Sequence, residues 1–135
     1  MPPDNEAIFQ KVRQWFEIAE EDYHLAEHSF AIASPVPYRL IAYHCQQSAE
    51  KYLKGLLVYF QIDFPYTHSI ERLFDLVPQN LILPASFSAV RDLSDFAVAK
   101  RYPDYYEKIT KEDAELAFDL VSMVKHFVLS NVSGG

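Results

Sequence analysis

His44, Gln47, Lys51 and Lys54 follow one another at spacings of three, four and three. On a helix those spacings bring the four side chains onto one stripe. Together they could do the chemistry of recognition. His44 can donate, accept or shuttle a proton, Gln47 can read a base edge, and the two ammonium groups can meet phosphates as point charges. A helix whose opposite side is apolar also needs a polar face, so a solvated surface explains the same four residues.

Lys100-Arg101-Tyr102-Pro103-Asp104-Tyr105-Tyr106 gathers two cations, three phenols and a carboxylate around a proline. Arg101 can fork onto a phosphate or carboxylate, and Tyr102, Tyr105 or Tyr106 can stack on a base or donate a hydroxyl. Equally, Arg101 can pair with Asp104 while the tyrosines cover the end of a bundle. The pair Thr67-His68 opens a short periodic segment, where free amides favour an anion that His68 could help to hold; a simple cap is the plainer account. Glu20, His24 and His28 stand one turn apart, with Glu21 and Glu27 nearby, a superficial match to metal-ligand spacing. Solvent-facing helices commonly mix acids and histidines, and no second Glu-x-x-His motif recurs, so this segment reads as solvated surface and no metal or other cofactor is expected. No Gly-x-Ser-x-Gly elbow supports a hydrolase triad, and Cys45 and Trp15 fall on apolar faces.

Helices must position these groups. From Ile8 to Ala33 apolar residues recur at three-and-four spacing, which predicts one long amphipathic helix stopped by Ser34-Pro35-Val36-Pro37. A second runs from near Tyr38 through Ile41, Cys45, Ala49, Tyr52, Leu56 and Phe60 and ends before Asp63-Phe64-Pro65. A short one is expected over Thr67–Phe74, begun by a Thr or Ser cap. Phe87, Val90, Leu93 and Ala97 predict a further long helix ahead of Arg101-Tyr102-Pro103. Thr110-Lys111-Glu112-Asp113 has capping-box spacing and introduces the last, through Ala114, Ala117, Val121, Val124 and Val128. No stretch alternates as a half-buried strand would, so the expected fold is all-α: an antiparallel four-helix up-and-down bundle with an additional short helix.

The 135 residues suit a single domain over 1–135, with 1–6 and 131–135 expected to fray. Three glycines leave no phosphate-cradling loop, so function must come from side chains. A net charge of -7 argues against broad, sequence-blind binding to a phosphate backbone, though not against a local basic site. One cysteine permits neither an internal disulfide nor a zinc knuckle. With no signal peptide and no membrane-spanning apolar run in view, a cytoplasmic protein is expected, without membrane association.

Trp15 and Glu21-Asp22 in the first helix, His44-Cys45-Gln46-Gln47-Ser48-Ala49-Glu50-Lys51-Tyr52-Leu53-Lys54-Gly55-Leu56 in the second, Thr67-His68-Ser69-Ile70, and Arg101-Tyr102-Pro103-Asp104 line up in one order. In combination they resemble the HEPN domain, over nearly the whole chain. The resemblance implies a bundle of four or five helices, frequently homodimeric, often encoded beside a minimal nucleotidyltransferase in toxin-antitoxin pairs. It also implies a nucleotide or RNA site, for which the candidates are His44, Gln47, Lys51, Lys54, Thr67, His68, Arg101, Tyr102, Asp104 and Tyr106. Many HEPN members that act as metal-independent ribonucleases carry an Arg followed within about six residues by a His, for phosphate stabilisation and proton transfer. Arg101 matches the Arg, but Tyr102 to Lys108 include no His. The resemblance therefore favours a binding module or nucleotidyltransferase partner. A ribonuclease would need Arg101 with His44 or His68 from elsewhere, and a ligand-free homodimeric adaptor is the third reading.

Overall fold

The computed structural model describes residues 5–81 and 109–132. Four helices lie within them: α1 (Asn5–Ser29), α2 (Tyr38–Tyr59), α3 (Ile70–Leu76) and α4 (Lys111–Ser130). The regular secondary structure of the described residues is all helix, with no strand, as the three-and-four spacing predicts. The helix expected at Phe87–Ala97, residues 1–4 and residues 133–135 lie outside the described residues.

Each boundary has a local cause. α1 stops four residues short of Ala33, where the amides of Ala31 and Ile32 turn back onto the carbonyls of His28 and Ser29 (3.1 and 3.2 Å) ahead of the prolines. α2 starts directly after Pro37, whose carbonyl takes the Ile41 amide at 3.0 Å; a proline at a helix start loses nothing, because its missing N–H would have had no partner. At the other end Gln61 N–H donates to Val58 O and Ile62 N–H to Leu57 O, both at 2.9 Å, with Gln61 in the left-handed region at φ 57°. This is a Schellman closure made without glycine. α3 begins at Ile70, later than expected, because the cap is Ser69, whose hydroxyl accepts the Arg72 amide. Thr67 instead accepts from the Ser69 amide and shapes the approach to that cap. α4 opens on the expected capping box: Thr110 Oγ1 accepts from Asp113 N, and Asp113 Oδ2 from Thr110 N.

Val12, Ala19 and Ala26 form the buried line of α1, one every seven residues. Two alanines on that line let α2 approach closely enough for Ser48 Oγ to donate to Ala19 O at 2.8 Å. Pairings then run from His44 with Asp22 to Gly55 with Phe16, so α1 and α2 are antiparallel. α4 is antiparallel to α1, since Lys125 meets Glu20 while Phe118 meets Phe30. It is therefore parallel to α2, the sense in which the last helix of an up-and-down bundle runs. α2 packs against each of the other three and is buried nearly all round, with Ile41, Cys45, Ala49, Leu53, Leu56 and Leu57 at the centre of the core.

Candidate functional site

α2 is amphipathic with a narrow outer ridge. At 100° per residue, Gln47 sits about 60° from His44 on one side and about 60° from Glu50 on the other. The α1 side of that ridge carries one carboxylate-held imidazole and the α3 side carries another.

On the α1 side, Asp22 reaches across to α2, where Oδ1 lies 2.8 Å from His44 Nδ1 and Oδ2 accepts from Lys51 Nζ. Burial pushes the Asp22 carboxyl up, but the hydrogen bonds from His44 and Lys51 and their charges outweigh it and hold the group below the usual carboxylate range. On the α3 side, Glu50 is almost wholly buried and gathers three partners: His68 Nδ1 at 3.0 Å, Lys54 Nζ at 3.0 Å and Gln46 Nε2 at 3.3 Å. Gln46 also donates to the His68 carbonyl at 3.1 Å, which fixes the backbone that carries the imidazole. Its Oε1 is buried without a donor among the described residues. Between the two sides Gln47 Nε2 donates to Tyr43 Oη at 2.7 Å, which sets the plane of its amide.

The two constellations share a logic. A carboxylate on Nδ1 fixes the orientation of each ring and presents Nε2 for a second partner. Among the described residues neither Nε2 has one. Both rings remain reachable, with the side chains of His44 and His68 25% and 38% exposed. Such a pair can accept, donate or transfer a proton, and Gln47 between them can hydrogen-bond a planar group.

A family model for the HEPN domain matches residues 12–131. The chain belongs to the HEPN domain family. Among solved structures, it is similar to TT1696 from Thermus thermophilus, at 27% identity and a TM-score of 0.77 over 89% of this chain and 97% of that one. It is also similar to ST0689, an archaeal HEPN homologue, at 28% identity and a TM-score of 0.71 over 90% and 98% of the two chains. No curated protein sequence matches it.

In this HEPN chain the stripe expected on α2 is real as a spacing but divides in three dimensions. His44, Gln47 and Lys51 are partly exposed on the outer ridge. Lys54 corrects the reading of four outward-facing groups, because it is 6% exposed. Its ammonium is paired with Glu50 and stands 5.6, 5.9 and 6.0 Å from the ring centroids of Trp15, Phe64 and Tyr66. A charge so enclosed ties α1, α2 and the approach to α3 together and is not a free phosphate contact. Thr67 and His68 precede the helix that they were expected to open. Arg101, Tyr102, Asp104, Tyr105 and Tyr106 lie outside the described residues.

Sequence reasoning passed over Asp22 and Glu50 as site residues. A signal for Glu50 was present. Gln46, Ser48 and Glu50 are polar residues on the buried arc of an otherwise apolar helix, and such groups are retained where they have partners. A third polar contact joins α1 to α4: Glu20 accepts from Tyr52 Oη and from Lys125 Nζ (2.8 Å), and Lys125 sits 4.1 Å above the Tyr23 ring. Cys45 is not a nucleophile in this setting, because burial and the Asp22 charge push its thiol up to about 12. No helix among the described residues is long and apolar enough to cross a membrane.

Proposed function

We propose that this HEPN chain is a cytoplasmic binding module that recognises a nucleotide or an RNA end along the outer ridge of α2 and serves a minimal nucleotidyltransferase as its partner in a toxin-antitoxin-like pair. The observation that carries the reading is the pair of carboxylate-held imidazoles, Asp22–His44 and Glu50–His68, flanking Gln47. Rings fixed before a ligand arrives lose little freedom on binding, which favours hydrogen bonding to phosphate oxygens and a base edge. Lys51 and Lys54 are already matched by Asp22 and Glu50, so the two imidazoles are assigned the phosphate contacts and Gln47 the base. The family pattern assigns Arg101 a further phosphate contact, with Tyr102 and Tyr106 as stacking partners. The same pattern carries a homodimer, which light scattering tests; a monomer at every concentration counts against it.

Calorimetric titration with nucleoside triphosphates and short RNAs tests the ligand. The wild type is expected to bind at least one of them, and His44→Ala combined with Gln47→Ala to weaken binding about tenfold to a hundredfold, the worth of one or two charge-assisted hydrogen bonds. Absence of heat with every ligand, or equal affinity in the variant, would overturn the reading.

One observation favours a second reading, a metal-independent ribonuclease. The Glu50–His68 pair supplies an imidazole, which Tyr102 to Lys108 lack. In that case Arg101 stabilises the developing phosphorane charge and His68 or His44 moves the proton. Cleavage of a mixed RNA pool in EDTA, lost in His68→Ala or His44→Ala, would establish it; an inert wild type leaves the binding module.

A further inference from the structure

The outer face of α1 near its C-terminal end carries no part of the ridge described above. Counted at 100° per residue, His24 and His28 stand about 200° and 240° around the helix from Asp22. Here the ligand atoms of His24, Glu27 and His28 all lie within 4.8 Å of one another, and all three residues are exposed. The two imidazole rings are stacked, 5.9 Å between centroids and 18° between planes. His24 Nε2 also lies 3.1 Å from Glu20 Oε1. A shallow depression of about 690 Å³ runs over this face, lined by Glu17, Glu20, Glu21, His24, Leu25 and His28.

Spacing alone reads this segment as solvated surface without a metal; from the clustering of the ligand atoms we propose instead that His24, Glu27 and His28 form a surface site for a divalent transition-metal ion of the zinc, nickel and copper group. Two imidazoles and one carboxylate are the donor set that such ions prefer, whereas calcium and magnesium seek all-oxygen shells. Bonds of about 2.0–2.2 Å around a tetrahedral ion place ligand atoms about 3.3–3.6 Å apart. Three exposed side chains on adjacent turns close that gap by changes of rotamer alone. The order His24-Leu25-Ala26-Glu27-His28 has the His-x-x-Glu-His spacing by which one class of zinc enzymes presents two histidines from a helix. The site binds an ion and carries out no reaction. Three protein ligands leave the fourth position to water. Glu20 is matched by Lys125, but Glu17 and Glu21 add negative charge to the face, in a chain of net charge -7, and so raise the local concentration of cations. An ion held here bridges successive turns of α1 and opposes fraying of the end that leads into the proline turn.

The test uses the full chain, stripped with EDTA and exchanged into a non-chelating buffer, then titrated with zinc chloride in a calorimeter. The wild type and His126→Ala, a change at an exposed histidine on α4, are expected to bind one equivalent. His24→Ala combined with His28→Ala is expected to lose binding, and Glu27→Gln to weaken it. Magnesium chloride should neither give heat nor compete. Zinc should raise the thermal midpoint of the wild type but not of the double variant, because only a ligand of the native state stabilises it. Alanine is the best helix former, so the exposed double substitution keeps the fold, which far-UV circular dichroism checks. A wild type that binds no zinc, or a double variant that binds it with unchanged stoichiometry and affinity, overturns the proposal. Neither result bears on the ridge of α2.

Discussion

A glycine in the interior of a 22-residue helix weakens that helix, yet Gly55 has no room for a methyl group. A Cβ there would meet Phe16 Cε1 and Cδ1 at 2.5 and 2.8 Å and Trp15 Cβ at 3.1 Å. The Phe16 ring is held against Tyr52, 5.7 Å away between centroids, and the Trp15 Cβ moves only with its backbone. Gly55→Ala is therefore expected to destabilise: overpacking costs about 1–3 kcal/mol, more than the helix-propensity gain of up to about 1 kcal/mol. Urea unfolding would show a lower midpoint at unchanged slope, and an equal or higher midpoint would mean that the ring swings aside freely. His44, Gln47 and Lys51 were legible at this scale because helical spacing alone puts them on one stripe. Asp22 was not, because its partners His44 and Lys51 come from another segment, 22 and 29 residues away; Glu50 was marked only as a polar residue on a buried arc, and its pairing with His68, 18 residues on, was hidden for the same reason. Lys54 has the same spacing as its neighbours on the stripe but opposite exposure, and no local pattern distinguishes a lysine on the ridge from one roofed by Trp15, Phe64 and Tyr66.

The helices were read correctly where their ends are fixed by side chains of their own neighbourhood. Thr110 and Asp113 are three residues apart and cap each other, so α4 starts where the sequence says it should. α3 is different: Thr67 and Ser69 offer two possible caps, and only the packing of Ile70, Leu73 and Phe74 into the core selects Ser69. Asp63-Phe64-Pro65 marks the end of α2 to within a few residues but not how it closes, because Gln61 does not advertise a left-handed conformation. That conformation costs a residue with a Cβ about 1–2 kcal/mol. It is tolerated here because Ile62 docks on the core and completes the bond to Leu57. Gln61→Gly should relieve the strain and raise stability by about 1 kcal/mol, with a higher thermal midpoint as the readout; a fall would mean that the Gln61 side chain contributes more than its backbone costs.

Across the whole molecule, two carboxylates on α1 join it to the rest of the bundle: Asp22 to α2, and Glu20 to α4 through Lys125 and to α2 through Tyr52. Burial raises both groups, but hydrogen bonds and opposite charges outweigh it, so both sit below the ordinary carboxylate range in the folded chain. Over the interval between folded and unfolded values the unfolded chain binds more protons, so stability rises with pH there. The stabilisation is complete above the unfolded value near about pH 4 and is lost as pH falls through the lowered folded values. Urea unfolding from about pH 3 to 7 should trace this loss, and Asp22→Asn should lower neutral-pH stability by about 1–3 kcal/mol while flattening the acid slope. An unchanged slope would show that Asp22 titrates alike in both states. By itself the sequence determined the helical class, the approximate helix ends and the order of the polar residues along α2, because periodicity, proline stops and caps act between residues a few positions apart. Only the tertiary structure decided which of those residues face outward, which carboxylate holds each histidine, and that Lys54 is enclosed. These depend on contacts between segments many residues apart, formed when α1 and α3 close against α2.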